Sequence, residues 1–142
     1  MNLETPIPSP ETLRRDLDDD YSLGAEPRAY FKENGYVKLK QVLRPETLEH
    51  YRREIAAQVK RLNTLNVPMA QRTTYQKAFL QIINLWTKSA VVREFVFSRK
   101  LARLAAELMD VGGVRMFHDQ ALYKEPGGGI TPWHADQYYW PV

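Results

Sequence analysis

In the segment TPWHADQYYWPV, residues 131–142, a histidine and an aspartate stand two positions apart, His134 and Asp136, with only Ala135 between them. In an extended backbone, side chains two apart point the same way, so the imidazole and the carboxylate would share a face. A neutral imidazole nitrogen and a carboxylate oxygen are two of the three donors of the 2-His-1-carboxylate facial triad, which leaves positions on iron(II) for a co-substrate and dioxygen. The same two residues can equally make a surface His–Asp hydrogen bond, and a His-x-Asp pair alone does not choose between these. Trp133, Tyr138, Tyr139 and Trp140 would wall a reactive metal centre from water; taken singly, each is more readily a core-packing side chain.

Because the chain contains no cysteine, a disulfide framework and thiolate ligands are excluded, and any metal must be held by His, Asp or Glu. That composition agrees with a reducing, cytoplasmic setting. The other two histidines are His50, within an amphipathic helical pattern, and His118, within an alternating stretch before the motif. Both read as structural residues.

The elements that must carry these residues are visible in the periodicity. Residues 1–27 hold prolines at 6, 8, 10 and 27 and the acids Asp16, Asp18, Asp19 and Asp20, a composition that resists burial and predicts a mobile leader with one helical turn. The domain is expected over residues 28–142. A short helix stopped at Asn34-Gly35 comes first, then a strand alternating Val37 and Leu39 with Lys38 and Lys40. Next, Leu48, Tyr51, Ile55, Val59 and Leu62 fall on one face of an amphipathic helix. FLQIINLW, residues 79–86, predicts a buried strand, Ser89–Phe97 a helix, and Ser98 the cap of another helix that turns Leu101, Leu104, Ala105 and Leu108 inward and ends at Gly112-Gly113. From Val114 to Glu125 a third strand would place Met116, His118, Gln120, Leu122 and Lys124 on one face, and EPGGG then breaks the backbone.

With 142 residues, 44% hydrophobic and 26% charged, the chain has the profile of one globular domain. Lys and Arg exceed Asp and Glu by 20 to 17, but the basic residues alternate with acids, so the excess does not imply a nucleic-acid partner. No apolar run approaches the roughly 20 residues that cross a bilayer, and the N-terminus lacks a signal-peptide pattern, so no membrane partner is implied.

HDQALYKEPGGGITPWHADQYYWPV resembles the central signature of the phytanoyl-CoA dioxygenase family of iron(II)- and 2-oxoglutarate-dependent oxygenases. YFKENGYVKLKQVLRPETLEHYRREI and QIINLWTKSAVVREFVFSRKLARLAAELM are similar to that family's opening and middle sections, so the likeness runs in order from about Tyr30 to Val142. The resemblance implies that His134 and Asp136 are iron ligands and that Gln120, with Lys124 as a neighbour, lies at the 2-oxoglutarate site. It further implies an α+β fold, with an incomplete double-stranded β-helix, a jelly-roll of cupin type, flanked by N-terminal helices. Some relatives carry a 2-oxoglutarate-binding lysine where this chain has Leu80. Others, which halogenate, lack the acid that Asp136 provides, so hydroxylation of a small organic substrate is the implied activity.

The family's distal histidine and its 2-oxoglutarate-binding arginine have no counterpart in this chain, and a closed barrel needs about eight strands where three or four are readable. The resemblance therefore implies the N-terminal portion of a larger domain, partnered by a C-terminal half, binding iron weakly and not turning over alone. Two other readings stay open: a non-catalytic relative, and a helical interaction module whose basic face comprises Arg52, Arg53, Lys60, Arg61, Arg99, Lys100 and Arg103. The glycines at 127–129 precede neither a Lys-Ser/Thr pair nor a helix start, so a phosphate loop is excluded and a flexible hairpin or lid is expected.

Overall fold

The computed structural model describes residues 8–138 and residue 140. Six helices and one two-stranded sheet make up the described fold: α1 (Pro10–Asp18), α2 (Ala25–Asn34), α3 (Pro45–Leu62), α4 (Thr74–Ala78), β1 (Leu80–Ile83), α5 (Ala90–Val96), α6 (Arg99–Met109) and β2 (Gln120–Tyr123). The architecture is α+β. The double-stranded β-helix expected from the resemblance is not formed among the described residues, where the only sheet is β1 paired antiparallel with β2.

The leader departs from its expectation. Instead of one helical turn resisting burial, residues 10–18 form a helix capped by the Ser9 hydroxyl, which accepts from the Thr12 N–H, with Pro10 opening the first turn. Leu13, Leu17 and even Asp16 are buried. Spacings of three and four put them on one face, and Asp16 tolerates the interior because Lys100 Nζ donates to it at 3.0 Å and the Arg44 N–H at 2.8 Å.

Helix α2 stops as the sequence predicts, at Gly35 in the left-handed region (φ 76°). The strand expected over Val37–Lys40 does not form; those residues run irregularly, since alternation produces a strand only where a partner offers its backbone. In α3 the buried side chains are Thr47, Tyr51 and Val59, steps of four and eight. Leu48, expected to face inward, is half exposed. Thr47 takes the inward place, fully buried, and helps to hold the buried Asp16 carboxyl in its charged form.

Two apolar clusters join through Ile55: Leu17, Leu43 and Tyr51 with Val91 and Phe95, and Val59, Leu85 and Val92 with Leu80, Ile82 and Ala121. Ser98 caps α6 as predicted, accepting from the Leu101 N–H, while Ser89, expected as the first residue of its helix, caps α5 by accepting from the Val92 N–H. Helix α6 ends at Asp110 in the left-handed region, before Gly112-Gly113. Strand β1 is shorter than FLQIINLW suggests because Asn84 turns left-handed (φ 58°) and Leu85–Thr87 form a 3-10 turn. Strand β2 is correspondingly confined to four residues of the stretch 114–125, the length over which β1 offers pairing, from Leu80 opposite Tyr123 to Ile83 opposite Gln120. Among the described residues no helix is long and apolar enough to cross a membrane.

Candidate functional site

The entry to β2 is organised by Asp119. Its carboxylate accepts from the Leu85 N–H at 3.0 Å and the Trp86 N–H at 3.3 Å, and its carbonyl from the Asn84 N–H at 3.0 Å. The charged acceptor satisfies donors of the 3-10 turn that have no partner within it. Register then puts Ala121 on the core side with Ile82, while Gln120 and Leu122 share the opposite, open face with Gln81 and Ile83.

On that open face Tyr75 Oη donates to Gln81 Oε1 and Gln81 Nε2 donates to Gln120 Oε1. Gln120 Nε2 is thereby left to donate to His118 Nε2, 2.5 Å away, which places the imidazole proton on Nδ1. The His118 ring packs at 4.9 Å from Trp140, which also meets Phe117 edge-on at 5.5 Å. Sequence reasoning found Gln120 but not Tyr75, Gln81 or Asp119. Their partners lie between 6 and 39 residues away along the chain, beyond the reach of local periodicity.

Lys124, expected beside the co-substrate, has its ammonium engaged by this chain. Nζ donates to the Ala78 carbonyl at 2.5 Å, to Thr131 Oγ1 at 2.8 Å and to the Gly129 carbonyl at 3.2 Å, three acceptors for three donors. The loop it holds is not the loose hairpin expected of three glycines. Gly128 N–H donates to the Glu125 carbonyl and Gly129 N–H to the Lys77 carbonyl at 2.6 Å, and Arg72 pairs with Glu125. A Cβ on Gly128 would stand 2.8 Å from the Lys77 oxygen and 2.9 Å from that of Glu125, so the backbone passes where no side chain fits.

Beyond this loop His134 Nε2 and Asp136 Oδ1 lie 3.3 Å apart. The segment is not extended throughout, since Asp136–Tyr138 form a 3-10 turn, yet the two side chains remain on one side. His134 Nδ1 lies 2.7 Å from the Pro132 carbonyl. A carbonyl only accepts, so Nδ1 carries a proton, and Nε2 is the ring nitrogen on the carboxylate side. First-row divalent metals hold such donors at about 2.1 Å, and two donors at a right angle on one ion then stand about 3 Å apart. The pair therefore fits two adjacent positions on a metal. Among the described residues no group of three His, Cys, Asp or Glu side chains could hold one, and neither His118 nor His50 completes the set.

The aromatic wall is not built around the pair. Trp133 is fully exposed and Tyr138 86% exposed; Trp140 turns instead to Phe117 and His118, and Tyr139 lies outside the described residues. The side chains of His134 and Asp136 are 46% and 81% exposed. The basic surface considered above is likewise not one continuous cationic face. Arg52 and Arg53 both pair with Glu49, Arg103 with Asp20, and Lys100 is buried against Asp16.

Neither the curated proteins nor the solved structures contain a match to this chain. The family model for phytanoyl-CoA dioxygenase does match, over residues 31–142, a span that takes in every element from α3 onward, the Gln81–Gln120–His118 row, the lysine-held loop and the converging His134–Asp136 pair. On that match, the chain belongs to the phytanoyl-CoA dioxygenase family.

Proposed function

We propose that this chain carries the iron-holding segment of an Fe(II)- and 2-oxoglutarate-dependent dioxygenase that hydroxylates a small organic substrate in the cytoplasm. The observation that carries the reading is the convergence of His134 Nε2 and Asp136 Oδ1 at 3.3 Å, with the opposite ring nitrogen hydrogen-bonded to the Pro132 carbonyl. Iron held there would supply the dioxygen chemistry. The chain's own residues would bind and orient. His134 and Asp136 hold the ion, with the imidazole kept in one tautomer by Pro132. Gln120, steadied by Gln81, offers its amide to a carboxylate of 2-oxoglutarate on the open sheet face.

Two protein donors are fewer than the facial triad requires, and the donor pair stands open to water. In this reading the third donor and the strands that cover the sheet come from a C-terminal half of the domain, and the 142 residues alone bind iron weakly and do not turn over. The family match supports an oxygenase in general terms; the substrate is left to residues outside the pair. The deciding experiment adds Fe(II) and 2-oxoglutarate without oxygen and looks for a visible metal-to-ligand charge-transfer band. A band that His134→Ala abolishes is expected, and a band unaffected by that substitution removes His134 from the metal.

A further inference from the structure

We propose that Lys124 is a positioning residue for the His134–Asp136 pair, acting through the glycine loop and not through the co-substrate. The proposal deepens the metal reading above and rests on it. An ammonium has three N–H donors and no acceptor, and all three are directed to this chain: the Ala78 carbonyl, the Gly129 carbonyl and Thr131 Oγ1. Those acceptors belong to two different places. Ala78 closes α4, next to β1, whereas Gly129 and Thr131 lie on the path from β2 to His134. Lys124 therefore ties the start of the sheet to the segment that delivers the donors.

Two further contacts bear on the same loop. The Gly129 N–H reaches the Lys77 carbonyl at 2.6 Å, and Arg72, with a side chain only 9% exposed, pairs with Glu125. The Lys124 ammonium also stands 5.8 Å from the centre of the Phe79 ring, which adds cation–π attraction on the same side. From Thr131 only Pro132 and Trp133 separate the held loop from His134, and Pro132, with its restricted φ, supplies the carbonyl that fixes the imidazole. Displacing Thr131 would thus move the imidazole's own anchor. A lysine recruiting 2-oxoglutarate would need at least one N–H directed outward; here each is matched by an acceptor of the chain.

The test compares the chain with its Lys124→Met and Thr131→Val variants in three measurements: amide hydrogen exchange across residues 126–131, Co(II) affinity read by absorbance, and 2-oxoglutarate affinity of the Co(II)-loaded protein. Positioning predicts that Lys124→Met exposes the Gly129 amide to exchange about tenfold faster and weakens Co(II) several-fold, while 2-oxoglutarate affinity of the loaded protein holds. Thr131→Val, which removes one acceptor and keeps the shape, should give a smaller change in the same direction. Unchanged exchange and Co(II) affinity, with 2-oxoglutarate binding lost, would overturn the proposal and return Lys124 to the co-substrate. If Co(II) binding in the unsubstituted chain proved indifferent to His134→Ala, the metal reading would fail by itself, and the exchange rates would still decide whether Lys124 holds the loop.

Discussion

At the scale of single residues, the molecule places two acid-containing pairs in opposite settings. Asp16 and Lys100 are both buried and joined at 3.0 Å, whereas His134 and Asp136 face solvent. Burial works against the Asp16 carboxylate, but hydrogen bonds from Thr47, the Arg44 N–H and Lys100, together with the Lys100 charge, outweigh it and hold the carboxyl below its ordinary value. A lowered carboxyl stabilises the fold above the unfolded value, near 3.9 for aspartate, and loses that contribution as pH falls through the folded value. Thermal melts should therefore show stability declining below about pH 4, and Asp16→Asn should flatten the decline. Lys100→Met leaves a buried carboxylate without its cation and should cost about 3–5 kcal/mol in urea unfolding; a loss under about 1 kcal/mol would mean that water reaches the pair. Neither residue was legible as a core group, because an acidic run in a proline-rich leader reads as solvated until the partner 84 residues away is known.

At the scale of elements, the sequence was a good guide where a local rule suffices and a poor one where pairing decides. Ser89, Ser98 and Gly35 mark helix ends that side-chain and backbone chemistry fix on their own. Val37–Lys40 and most of 114–125 alternate like strands yet have no neighbouring backbone, and only the four residues facing β1 pair. The His134–Asp136 relation was legible because it depends on a two-residue spacing; the engagement of Lys124 was not, since its acceptors come from α4 and from the far side of a turn. Ser98 both caps α6 and donates to the buried Leu17 carbonyl at 2.8 Å. Ser98→Ala should accordingly cost about 1 kcal/mol for the cap and about 1–3 kcal/mol for the orphaned carbonyl, measured by chemical denaturation. Gly128→Ala, which forces a Cβ against the Lys77 and Glu125 oxygens, should shift the loop and weaken Co(II) binding while leaving helix content by circular dichroism unchanged.

At the scale of the whole molecule, helices cover one side of the sheet and the other side is open. Ile83 and Leu122 are exposed there, and Phe117, Ile130, Trp133 and Tyr138 add apolar surface along the segments before and after β2. Exposed apolar area beside unpaired strand edges promotes association, so sedimentation should show concentration-dependent self-association, reduced by Leu122→Lys. The same openness leaves the metal donors incomplete, and the central claim is that His134 and Asp136 nonetheless take hold of one ion. Titrating the chain with Co(II) while following its amide resonances tests this most directly. Signals around residues 134–136 should broaden together, and His134→Ala and Asp136→Ala should each abolish the effect; broadening centred on the acids at 16–20, or persisting through either substitution, would show that the two side chains do not hold the ion.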